Sequence, residues 1–388
     1  MAYRSTALAG TLFVLMTAVV PPPAAAQQGD EERTIIVTGK RLSDTERLLA
    51  ECLARNCPPD EDIAATLAHA ENQFIAGKYK DARHTLLKSL GRNRGEAEDH
   101  PVPVSNLFSA NARVAAHLGE GEDYRSSTYG ALRALKAGIE EQDHRHLMAR
   151  LEIANMRAQF GEVTGALNVY EDVEDDAEEI GRYDLAGIAR VRGAWLQYLA
   201  DPLPATRKEL ERIAALEDPR QKVARLTALV LLAKLERDRG REEAAERLIR
   251  EVAGAGFEKP VLLYSPPIDW AVQNPGGSGS TTRRIATDTF DDEWVDIGFW
   301  VGTDGRVKEL EILRSSGDID WSKPLLKSIA GRIYSPPAEE TYRLERYSYT
   351  AFWDETTGSR IRDRSPNARI EYLDLTIETP AEKGTEKQ

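Results

Sequence analysis

Two cysteines and six histidines are the side chains of this chain best suited to holding a metal or attacking a substrate, and their spacing speaks against both. Cys52 and Cys57 stand in Cys-Leu-Ala-Arg-Asn-Cys-Pro-Pro with no histidine beside them. A metal site wants about four ligands, so two thiols do not make one. An even count at short spacing fits a disulfide closing a small loop in an exported protein. His69, His84, His100, His117, His144 and His146 include no His-Glu-x-x-His, and the 144/146 pair is too close for one helical face. That pair is expected on a solvent-facing loop. Gly302-Thr303-Asp304-Gly305 lacks the Lys-Ser/Thr of a phosphate loop, and no Gly-x-Ser-x-Gly elbow occurs. Acidic runs at 172–179 and 291–293 lack calcium-loop spacing and read as solvated faces. The expectation is a binding protein with no catalytic residue, no metal and no cofactor.

Bulk composition narrows what is bound. With 51 Lys+Arg against 64 Asp+Glu, the chain lacks the basic surface that phosphate backbones require, so nucleic acid is not an expected partner. Nothing points to a small-molecule substrate either. At the N-terminus Arg4 precedes an apolar stretch at 7–20, followed by Pro21-Pro22-Pro23 and Ala24-Ala25-Ala26 before Gln27. This order is that of a cleaved export signal, and the stretch is shorter than the roughly 20 residues of a membrane span. Residues 1–26 are therefore expected to be a Sec signal peptide and the mature chain periplasmic; an uncleaved segment would instead anchor it in the inner membrane.

Positioning elements fall into two kinds. From 61 to 258 small and apolar residues recur at helical spacing, broken by short turns. Ala70-x-x-x-Phe74-x-x-Gly77-x-Tyr79-x-x-Ala82 resembles a tetratricopeptide (TPR) hairpin, and degenerate copies centre on Gly119, Gly161, 199–205 and Gly240. About five hairpins with a repeat near 40 residues are expected, stacked as an α-solenoid with a groove for protein partners. Beyond Gly276-Gly277-Ser278-Gly279-Ser280 the period changes to two. Val295, Ile297, Phe299 and Val301 form one strand face, Asp304-Gly305 a hairpin turn, and residues 307–313 the returning strand. A helix capped by Asp320 should bury Trp321, Leu325, Ile329 and Ile333, followed by a strand at 342–353 and a fourth near Leu373, Leu375 and Ile377.

The fold class is thus multidomain, α and α+β: TPR-like hairpins followed by a small β-β-α-β domain. Asp304-Gly305-x-Val307, Ile312-Leu313-x-Ser315-Ser316-Gly317 and Arg332-x-Tyr334-x-Pro336, in that order, resemble the TonB C-terminal domain. The resemblance implies docking to outer-membrane receptors by adding a receptor strand to a sheet edge, here the edge carrying Tyr347, Tyr349, Ala351 and Trp353. The Tyr-Pro element of that family is echoed by Tyr264-Ser265-Pro266-Pro267, and the long Pro-rich spacer is replaced by the helical array. Thr34, Ile35, Ile36, Val37 and Thr38 resemble a receptor's TonB box, so a strand of the kind the sheet would accept lies in the same chain. Domain limits follow: an extended segment at 27–60, repeats at 61–258, a linker at 259–283, the TonB-like domain at 284–379 and a disordered tail at 380–388. The expected partners are a TonB-dependent receptor, a TonB-system component or the chain itself.

Overall fold

The computed structural model describes residues 41–255, 257, 259–268, 293–352 and 367–376. The signal segment, the strand at 34–38, the Gly/Ser run at 276–280, Trp353, Ile377 and the tail lie outside them.

The described chain opens with a helix, where an extended segment was expected. In α1 (Leu42–Ala54), Leu42, Thr45, Leu49 and Cys52 recur at helical spacing and turn inward. Thr45 Oγ1 lies 3.1 Å from His69 Nδ1 and accepts from Asn72 Nδ2 at 3.2 Å, fastening α1 to α2 (Pro59–Ile75). A Cys52–Cys57 disulfide, Cα atoms 5.2 Å apart, closes the turn between them. Replacing both cysteines by serine is expected to cost about 2 kcal/mol through the entropy of so short a loop. Urea unfolding with and without reductant measures it; no shift in either comparison would mean the helices alone hold α1.

Among the described residues five helical hairpins follow: α2 with α3 (Tyr79–Asn93), α4 (Pro101–His117) with α5 (Gly121–Gly138), α6 (His144–Gln159) with α7 (Val163–Glu179), α8 (Tyr183–Ala200) with α9 (Pro204–Ala214), and α10 (Lys222–Asp238) with α11 (Glu242–Ala253). Four turns inside hairpins use a glycine at positive φ, Gly77, Gly119, Gly161 and Gly240, where a side chain would strain the backbone. The first three follow at steps of 42 residues (77 to 119 to 161). The fourth hairpin has no glycine; Pro202 lies in its turn and Pro204 opens α9, where a missing N–H costs little. His144 and His146 begin α6 rather than a loop, and His146 is buried.

The small domain starts earlier than expected. β1 (Leu262–Tyr264) lies in the segment read as linker and pairs antiparallel with β4 (Ile333–Tyr334), Leu262 opposite Tyr334. A second sheet holds β2 (Trp294–Val301), β3 (Val307–Ser315), β5 (Thr341–Phe352) and β6 (Asn367–Asp374) in the order β3-β2-β5-β6, all antiparallel. The β2–β3 turn is tight, with Gly305 N donating to Gly302 O at 2.8 Å and Gly305 at φ 73°. Val295, Ile297, Phe299 and Val301 pack on Trp321, Leu325 and Ile329 of the helical segment ending in α12 (Lys323–Ala330). Ile333 leaves that stripe for β4, and Asp320 makes no cap, since Ser322 occupies the N-cap position.

Candidate functional site

Aligning the hairpins on their turn glycines shows which positions serve packing. Seven residues before the glycine stand Ala70, Ala112, Ala154 and Ala233, all buried. Five residues after it stand Ala82, Ala166 and Ala245, also buried. These are the close helix contacts, and their smallness serves packing. Six residues before the glycine the series is polar and changes along the array: Glu71, Arg113, Asn155 and Lys234. Asn155 Oδ1 accepts from the Tyr170 hydroxyl at 2.7 Å and from Arg192 at 3.3 Å.

Burial pushes the Glu71 carboxyl up to about 7, against the pull of Arg113. A raised acid favours the folded state below its ordinary range, and that contribution is lost as pH rises through about 7. Stability should therefore fall between about pH 5 and about pH 8, and Glu71→Gln should flatten that part of the profile. Denaturant unfolding at the two pH values checks it; an unaltered profile in the variant would discharge Glu71 from the role.

The side of the sheet facing away from α12 meets the first hairpin. Arg346, 1% exposed, donates to Asp296 at 2.6 and 3.0 Å and to the Ile75 carbonyl at 2.6 Å, with Phe74 O at 3.4 Å. Its guanidinium lies 3.7 Å over the Trp294 ring. A cation thus caps the last carbonyls of α2, where the helix dipole is negative. Asp296 is also paired with Arg314 at 2.7 Å. Beside them the Tyr79 hydroxyl and Ser348 Oγ are 3.0 Å apart, and Tyr79 packs on His117 with ring centroids 4.0 Å apart. A Cβ at Gly77 would fall 2.5 Å from the Trp294 indole nitrogen, so this turn needs glycine for the approach of the sheet as well as for φ.

The same domain reaches the last hairpin through β1. Leu263 is buried among Leu226, Leu229, Val230 and Val252, while Leu262 faces the sheet core. Arg237 lies 4.2 Å over the Tyr264 ring. Phe74 and Arg237 each stand three residues before a turn glycine, so the domain touches one repeat position at both ends of the array. The side of the array that carries these two contacts is its inner face.

The expected acceptor edge is corrected. Tyr347, Tyr349 and Ala351 lie in β5, which pairs with β2 on one side and with β6 on the other; Tyr347 is opposite both Val295 and Tyr372. A fourth strand therefore covers the edge that the sequence left open. Among the described residues the outer strands are β3 and β6. β3 carries Glu309 at φ 50°, two register shifts and the charges of Lys308, Glu311 and Arg314, features that blunt an edge. β6 runs in unbroken register along β5.

Between α12 and the β5–β6 side lies a buried charged network. Arg332 donates to Glu345 at 2.7 Å and to the Tyr347 hydroxyl at 2.7 Å, and Arg343 reaches Glu345 at 3.3 Å. Tyr347 also donates to Glu345; burial and that carboxylate raise its pKa well above the ordinary phenol range, so it stays a donor. Glu345, Arg346 and Asp296 were missed because charges at strand positions suggest solvent, and Arg332 was read only as part of a family motif. The available signal was Gly298 between two tryptophans on the face read as exposed.

No protein-family model matches this chain, and no curated protein matches it. Among solved structures, a kinesin light chain-type protein of Podosopora anserina with nearly identical TPR-like repeats aligns with 51% of this chain and 95% of its own, at 15% identity and TM-score 0.40. BtubC (BKLC) from P. vanneervenii aligns with 56% of this chain and 92% of its own, at 14% identity and TM-score 0.44. The body is a TPR-like helical repeat. Its hairpins, turn glycines and buried alanines define it as such, and a small antiparallel sheet domain follows.

Proposed function

We propose that this chain is a non-enzymatic periplasmic adaptor associated with TonB-dependent outer-membrane transport. The observation that carries the binding role is the stack of five helical hairpins, whose repeated packing leaves one continuous helical surface for a partner. A stacked array of this kind suits an extended protein segment better than a compact small molecule. Export rests on the order of Arg4, the 7–20 stretch and Ala24-Ala25-Ala26, and the link to TonB systems on the ordered sequence resemblance of the small domain. Tyr264, which echoes the family's Tyr-Pro element, lies in β1 of that domain, and Pro266 O accepts from Ser328 at 2.6 Å.

A partner that binds by strand addition would meet β6, because β5 is already paired on both sides. A photo-crosslinking residue at Arg113 and another at Glu371 test the two surfaces in the native envelope. Adducts with a TonB-dependent receptor or a TonB-system protein are the expected result. Fractionation accompanies it, since carbonate-resistant membrane association would replace the soluble adaptor with an anchored energy transducer. Adducts with neither surface would leave a structural role for the domain and end the adaptor reading.

A further inference from the structure

The small domain is attached to the array in two unlike ways. At hairpin 5 the contact is apolar, with Leu263 1% exposed among four aliphatic side chains. Within the small domain β1 is tied to β4, Ser335 N donating to Val261 O at 2.8 Å and Val261 N to Ser335 Oγ at 2.9 Å, so whatever holds β1 holds the domain. At hairpin 1 the contact is a small set of polar groups: Arg346 on the α2 carbonyls, Tyr79 against Ser348, and Trp294 over Gly77. Apolar burial of this kind is non-directional and tolerates small rotations, whereas charge-assisted hydrogen bonds need their geometry and have water as a competitor. Interfaces between domains of one chain that are small and polar open more readily than large apolar ones.

We infer that the small domain is a gate across the inner face of the helical array, hinged at hairpin 5 through β1 and latched on hairpin 1 by Arg346. Arg346 fits the part because each of its partners belongs to one state or the other. Asp296 and Trp294 travel with it on the sheet, so the guanidinium stays paired and covered when the domain leaves. Ile75 and Phe74 stay with α2, whose terminal carbonyls can then bind water. Opening therefore strands no buried charge, which a break between Arg346 and Asp296 would do. It uncovers the turn of hairpin 1 at the end of the polar series. The gate is a property of the chain alone and stands whether or not the proposed transport partner exists.

Thiol labelling of the full chain tests it, since Cys52 and Cys57 are disulfide-bonded and silent. Ser348 and Val252 are both buried, one at the latch and one in hairpin 5 within the cluster that holds Leu263. In otherwise native protein, the thiol of Ser348→Cys is expected to react at least about tenfold faster than that of Val252→Cys, the latch opening while the hinge holds. Arg346→Met combined with Asp296→Asn removes the latch and leaves only the exposed Arg314 without its partner, so no buried charge is orphaned; it should speed labelling at 348 further, leaving 252 unchanged. Equal rates at the two thiols would mean that the domain leaves only by detaching altogether, and would overturn the gate. The single-thiol comparison decides the matter even if the double substitution fails to fold.

Discussion

Replacing Arg332 with methionine is expected to destabilise the small domain by about 3–5 kcal/mol, the usual cost of removing one partner from a buried ion pair. Arg332 lies between α12 and β4, and its guanidinium satisfies both Glu345 and the Tyr347 hydroxyl. Methionine fills similar volume, so the loss comes from Glu345, 1% exposed and left with one cation, Arg343 at 3.3 Å, beside the Tyr347 and Tyr372 hydroxyls. Adding Glu345→Gln should return part of the loss, because a neutral amide is cheaper to leave buried than a carboxylate. Urea unfolding followed by hydrogen exchange at β5 amides measures both. If the single variant costs under about 1 kcal/mol, the network adds little and the sheet core carries the domain.

The second large effect belongs to β1. Leu263→Ala should cost about 2–5 kcal/mol, since the leucine is enclosed by hairpin 5 and cannot be replaced by water or neighbouring side chains. The loss should be local: faster exchange in β1 and β4, with β2, β5 and the first three hairpins unaffected. It should also raise the reactivity of a cysteine at 252, which the latch substitutions leave alone. A change below about 1 kcal/mol would show that β1 is merely adjacent to the array and anchors nothing.

Much of this architecture was legible in the residues. Gly77, Gly119, Gly161 and Gly240 marked the hairpin turns because only glycine takes that backbone without strain, and the alanines marked the helix contacts because nothing larger fits. Asp304-Gly305 marked the β2–β3 turn for the same local reason. Errors came where a local signal was weak or ambiguous. The apolar residues of the helix at Leu42–Ala54 lie on more than one face, with Leu48 and Leu53 exposed, and half of β6 is charged or amide: Asn367, Arg369, Glu371 and Asp374. Its partial alternation was visible in Leu373 and Leu375, yet alternation reports a strand and not its neighbour. Tyr347 and Tyr349 were therefore placed correctly on one face of a strand and wrongly at an edge.

The sequence by itself determined the helical repeat, its period, the hairpin turns, the Cys52–Cys57 pairing and the faces of β2, all of which follow from backbone preference and short-range periodicity. Tertiary structure alone decided which strand is outermost, that Arg346 is buried against a helix end more than 270 residues away in sequence, and that β1 joins the small domain to hairpin 5. These depend on contacts between distant segments. A charged residue carries no mark of whether water or another element will complete its hydrogen bonds, and only the packed chain supplies that partner.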